Sequence, residues 1–113
     1  MSLHRVVVTG MGGVSAFGQT WQSVREKLKA GENAVRVMPE LNEFEGLNTR
    51  LGAPIENFSP PENYTRKKIR SMGRVSLFST RATEIALTQA GLINDPILSS
   101  GRTGIAFGSC TGS

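Results

Sequence analysis

The sequence predicts an α/β fold, and three observations lead there. Two short runs, "RVVVTG" at residues 5–10 and "TGIAFGS" at residues 103–109, are continuously apolar rather than alternating. That pattern marks strands covered on both faces, as in a parallel sheet, rather than strands with a wet side. Between them lie segments whose apolar residues recur at helical spacing. The third observation sets a bound. Strands covered on both faces need a helical layer on each side, yet the 113 residues supply about two and a half helices. The chain therefore reads as part of a layered domain.

The elements follow in order. After the first strand, "MGGVSAFG" brings Gly12, Gly13 and Gly18, which allow tight or left-handed backbone, here beneath a neighbouring strand. Thr20 is placed as an N-cap, and "WQSVREKLKAG" runs on as an amphipathic helix. Trp21, Val24 and Leu28 share one side of it, and Gly31 stands where a helix stops. Residues 32–64 are less regular. "AVRVM" and "LGAPI" suit short strands, and "FSPPENY" is a turn-rich connection because Pro60 and Pro61 exclude helix. From Thr65, "TRKKIRSMGR" gives a basic turn or two, and "VSLFSTRATEIALTQAGL" a longer helix. In that helix Val75, Phe78, Ala82, Ile85, Ala86 and Ala90 recur on one face, and Gly91 marks the stop. "NDPILSSGR" is a loop, and the second buried strand follows.

Composition narrows the function. An apolar share of 38% and a charged share of 19% suit an ordinary globular chain and exclude a disordered or fibrous one. No apolar stretch nears the roughly 20 residues of a membrane span, and "MSLHRVVVTG" lacks the long apolar core of a secretory signal. One cysteine and one histidine make neither an internal disulfide nor a usual structural zinc site. A reducing cytoplasm is the expected setting, with no metal and no cofactor. Nucleotide binding is not supported. In a glycine-rich fingerprint starting at Gly10 the third glycine is Ser15, and no Gly-Lys-Ser/Thr occurs.

The net charge of +4 is mild, so its placement matters more than its size. On a continuous helix Arg66, Lys67, Arg70 and Arg74 fall within an arc of roughly 100°, while Ile69 and Met72 point away toward a core. Such a patch suits phosphate or a carboxylate-rich surface. Nucleic acid is disfavoured, because no aromatic residues interleave with the cations. His4 precedes the first strand and reads as a surface residue. Cys110, the one cysteine, sits among small residues after an apolar run. That position suits either a nucleophile exposed at a strand-to-helix turn or a small packing residue.

Four stretches together resemble the N-terminal part of the β-ketoacyl-acyl-carrier-protein synthases, the condensing enzymes of fatty-acid and polyketide synthesis. They are "HRVVVTGMGGVSAFG", the helix near "TWQSVREKLKAGENAV", the basic "RKKIRSM", and "RTGIAFGSCTGS" in place of Arg-x-Gly-x-x-x-Gly-Ser-Gly-x-Gly. The resemblance implies a thiolase-like fold, two similar α/β halves layered αβαβα and assembled as a dimer. Residues 1–113 would then be an incomplete opening part of the first half. It also implies that the nucleophilic cysteine and two histidines lie downstream, so that this chain holds no catalytic residue and supplies part of an acyltransferase.

The same resemblance places Cys110 at a position that is usually glycine, as a pocket-wall or packing residue rather than the nucleophile. Thr111 matches a position lining the acyl-chain pocket, often Ile or Gly, where an acyl thioester substrate is held. Lys67 and Arg70 match positions that contact acidic acyl carrier protein. Ser71 replaces the next family cation, while Arg66, Lys68 and Arg74 add charge nearby. The implied partners are acyl carrier protein and a second ketosynthase-like subunit, identical or not. A non-catalytic partner subunit that sets chain length shares this region and stays open as the alternative.

Overall fold

The computed structural model describes residues 3–110. Two compact units form within them, one from the residues up to Gly13 together with those from Pro60 onward, the other from Val14–Ser59.

In the Val14–Ser59 unit, α1 (Trp21–Lys29) starts where Thr20 caps it, the Oγ1 accepting from the Ser23 N–H at 3.2 Å. Lys27 and Lys29 fall in its last turn, where the negative end of the helix dipole favours them. Gly31, at φ +71°, ends it in the left-handed region, as its position predicts. Lys27 also pairs with Glu32 at 2.8 Å and lies over the Phe17 ring. The two short strands read from "AVRVM" and "LGAPI" are present. β1 (Arg36–Val37) pairs antiparallel with β2 (Leu51–Gly52), Arg36 opposite Gly52 and Val37 opposite Leu51. An Arg36–Glu56 ion pair lies close by. Pro39–Glu43 adds a 3₁₀ turn that the sequence did not signal.

In the other unit, α2 (Arg66–Ile69) is a single turn and α3 (Arg74–Gln89) is the long helix, stopped by Gly91 at φ +70°. The predicted loop "NDPILSSGR" contains a 3₁₀ turn at Pro96–Ser99, capped by Asp95 Oδ1 accepting from the Ile97 N–H at 2.8 Å.

The two apolar runs differ from expectation. Neither residues 5–10 nor residues 103–109 form a paired strand, since no described segment lies beside either of them as a ladder partner. Their side chains are consequently open, Val6 at 92% and Ile105 at 78% exposure, and no described residue is fully buried. Of the glycines after the first run, Gly12 is required for a close approach, as is Gly10 at the end of the run, but to a helix rather than to a strand. A Cβ on Gly13 would meet nothing within 4 Å among the described residues, and Gly18 takes left-handed backbone at φ +118°. A Cβ on Gly10 would strike the Ala86 carbonyl and lie 3.0 Å from the Ala90 nitrogen. One on Gly12 would strike the Ala82 carbonyl and lie 2.9 Å from the Ala86 nitrogen. Between these glycines the Met11 N–H donates to Gln89 Oε1 at 2.6 Å. The alanines of α3 and the glycines of the leading segment thus leave two backbones in contact with no side chain between them.

Candidate functional site

The basic segment begins at Thr65, whose side chain makes no capping bond. One turn of α2 closes as the Arg70 N–H donates to the Arg66 carbonyl at 3.0 Å. The Met72 N–H then reaches the Ile69 carbonyl at 2.9 Å, and Gly73, extended at φ −75° and ψ 175°, starts α3. Glycine is a poor helix residue, and here it breaks the run. The continuous helix that would bring Arg74 into one arc with Arg66, Lys67 and Arg70 is therefore absent. Arg74 opens α3 instead, its guanidinium 5.0 Å from the Phe78 ring centroid.

All five cations are exposed. Arg66, Lys67 and Arg70 have no acidic partner within ion-pair distance among the described residues. Lys68 turns back and donates to the Asn63 carbonyl at 3.5 Å. Ile69 and Met72 are half-buried and line a neighbouring cleft, so the turn does separate its charged side from its apolar side.

A polar cluster that the sequence reading missed sits beside this turn. Glu84 of α3 accepts from Arg81 Nη1 at 2.6 Å, from Tyr64 Oη at 3.0 Å and from Asn63 Nδ2 at 3.3 Å. Burial works to raise the Glu84 carboxyl. Hydrogen bonds from Arg81, Tyr64 and Asn63, with the Arg81 charge, outweigh that and hold it below the usual glutamate value. Burial, the bond to Glu84 and that group's charge push the Tyr64 hydroxyl up, against the Arg81 charge. The available signal was the one carboxylate between Thr65 and Asn94, in the long helix and with an arginine three residues before it.

The cleft next to the cluster measures about 730 Å³ and is bordered by Ile69, Met72, Val75, Leu87, Ile105 and Phe107. Gly108 and Ser109 border it too, whereas Cys110 does not. Cys110 is an exposed free thiol. Thr111 lies outside the described residues. His4 is exposed, as its place ahead of the first run suggests. Among the described residues no group of three His, Cys, Asp or Glu is placed to hold a metal ion, and no helix is long and apolar enough to cross a membrane.

Known proteins resemble this chain in sequence and in fold. The family model for the β-ketoacyl synthase N-terminal domain matches residues 3–113. The 3-oxoacyl-[acyl-carrier-protein] synthase 1 of Haemophilus influenzae is 33% identical over 111 residues, 98% of this chain and 27% of that protein. Nodulation protein E of Rhizobium meliloti is 38% identical over 90 residues, 79% of this chain and 22% of that protein. The crystal structure of a β-ketoacyl synthase from Burkholderia phymatum superposes with a TM-score of 0.90 at 53% identity, covering 98% of this chain and 27% of the other. The chain spans about a quarter of the length of these relatives. Its fold is the opening part of the thiolase-like α/β architecture that the sequence resemblance implied.

Proposed function

The chain belongs to the β-ketoacyl synthase family, matching it through the N-terminal domain, and on that premise we propose that the whole protein is a 3-oxoacyl-acyl-carrier-protein synthase. In the proposed reaction a cysteine thiolate attacks an acyl thioester, forms the acyl-enzyme and releases the carrier thiol. Malonyl carrier protein then loses carbon dioxide. The resulting enolate attacks the acyl-enzyme carbonyl, forms the new carbon–carbon bond and expels the cysteine thiolate, leaving a 3-oxoacyl thioester on the carrier. Oxyanion stabilisation and the nucleophile itself are assigned to residues outside this chain. The setting is the cytoplasm, the assembly a dimer of ketosynthase-like subunits, and no cofactor enters.

The proposed contribution of this chain is docking and pocket wall. Arg66, Lys67 and Arg70 present exposed positive charge on one turn, with Lys68 and Arg74 extending it, and an acidic carrier protein is the complementary partner. Cys110 and Thr111 are assigned to the wall of the acyl pocket. The observation that carries the reading is the family match over residues 3–113, with the unpaired cations of α2 supporting the docking role.

The test is a condensation assay with the full-length protein, acyl carrier protein loaded with an acyl chain, and malonyl carrier protein. Stoichiometric release of carbon dioxide and 3-oxoacyl product is the expected result. No condensation by the protein, alone or as a homodimer, together with altered product length when it is added to an active synthase, would replace this reading with the non-catalytic partner subunit.

A further inference from the structure

The basic turn is too short to hold itself in place. Forming a first helical turn fixes several backbone angles for one hydrogen bond, so an isolated four-residue helix is unfavourable. In α2 the cap residue Thr65 contributes no side-chain bond either. Its orientation must come from what grips the chain on either side. On the far side the grip is covalent, because Met72 and Gly73 lead straight into α3, where the Leu77 N–H donates to the Gly73 carbonyl at 3.0 Å. On the near side the grip is the Glu84 cluster. Tyr64 and Asn63, directly before Thr65, both donate to Glu84, and the Tyr64 N–H closes its own turn onto the Pro61 carbonyl at 2.9 Å.

The two grips fall on one 16-residue helix. From Arg74 to Glu84 is about 15 Å along its axis, so the chain from Tyr64 to Gly73 is strung between fixed points. We propose that Glu84, acting through Tyr64, is a positioning residue that sets the direction in which Arg66, Lys67 and Arg70 are presented to an acidic carrier protein. The inference rests on the docking role proposed above. A carboxylate fits this task because its two oxygens accept from three donors here, more than one side-chain amide oxygen readily takes. Arg81 at 2.6 Å balances its charge, so the anchor does not cancel the field of the cations it holds. Lys68, bonded to the Asn63 carbonyl, ties the turn to the same anchor from the other side.

The test uses full-length protein carrying Tyr64→Phe, which removes one oxygen, or Glu84→Gln, which keeps the shape and removes the charge. Two readouts are taken: hydrogen exchange at the amides of Lys68, Ile69 and Arg70, and the KM and kcat for acyl carrier protein substrate. The loss of one such bond corresponds to exchange about threefold to tenfold faster at those three amides. A rise of similar size in KM is expected, with kcat within about twofold and α1 amides unchanged. Unchanged exchange in both variants overturns the positioning role. Faster exchange without a change in KM, while Lys67→Glu with Arg70→Glu raises KM, also overturns it, since the direction of the turn would then be irrelevant to docking. If neither variant set moves KM, the docking reading fails and takes with it the inferred role in docking.

Discussion

Helix α3 holds two neighbours on nearly opposite sides by different physics. Ala82, Ala86 and Ala90 recur every four residues and receive Gly10 and Gly12, backbone against backbone. Glu84 lies about 160° around the helix from the middle of that stripe and receives Tyr64 and Asn63 through hydrogen bonds to a charged group. The first seat is a steric fit that fails when an atom is added and does not depend on protonation. The second is electrostatic. It tolerates small changes of shape and fails when a charge is removed. Fixing the leading apolar run requires the first property, whereas aiming a short basic turn calls only for the second.

The largest expected effects break the steric seat. Gly12→Ala and Gly10→Ala each place a methyl group against a helix carbonyl that has nowhere to go, and a loss of about 1–3 kcal/mol is expected from such overpacking. Urea denaturation of the full-length protein measures it. A loss below about 0.5 kcal/mol, the size of an ordinary surface change, would mean the glycines are not in that contact. Next in size is Gln89→Ala, which removes the acceptor for the Met11 N–H. Water reaches this exposed bond, so a loss of about 0.5–1 kcal/mol is expected by the same measurement.

Local signals made one part of this comparison legible in the sequence and left the other hidden. The helix α3, its small-residue face and its Gly91 stop are written in spacing. So are the Thr20 cap, the Gly31 stop and the short strands β1 and β2. The function of Gly12 was half legible: a close approach was required, but the sequence does not say that the neighbour is a helix sixty and more residues away. The runs at residues 5–10 and 103–109 have the composition of sheet strands, yet a strand is made by its ladder partner, and none lies among the described residues. The Glu84–Tyr64 bond joins residues 20 positions apart, beyond any periodic signal. For the candidate site, the cations were legible and their grouping was not. Gly73 ends the basic turn before Arg74, a break that a helical wheel drawn across it conceals.

The electrostatic seat gives the smaller effect and a pH signature that the steric seat lacks. The Glu84 carboxyl is depressed in the folded protein, so its ionised form contributes stability that is present above the unfolded value of about 4.3. That contribution is lost as pH falls through the lower folded value. Tyr64 runs the other way, its raised hydroxyl contributing below the unfolded value of about 10 and losing that contribution as pH rises through the folded one. The charged and titrating groups of the cluster are Glu84, Tyr64 and Arg81, with Lys68 bonded to the adjoining Asn63 carbonyl. Glu84→Gln is expected to cost about 1 kcal/mol or less near neutral pH, because the pair is partly solvated. The difference from the parent protein should shrink in acid. Denaturation series across pH would show it, and an equal difference at every pH would remove the charge from the explanation. The Gly12→Ala difference should stay constant over the same range.

The most direct test of the account as a whole is the salt dependence of carrier-protein use by the full-length protein with Lys67→Glu and Arg70→Glu together. The KM for acyl carrier protein is measured from low to physiological ionic strength, where exposed charges pass from weakly to strongly screened. A KM raised about tenfold or more at low salt is expected, with a salt dependence clearly flatter than that of the parent protein. An unchanged KM with an unchanged salt dependence would contradict it, and α2 would then be a solvated turn with no part in docking.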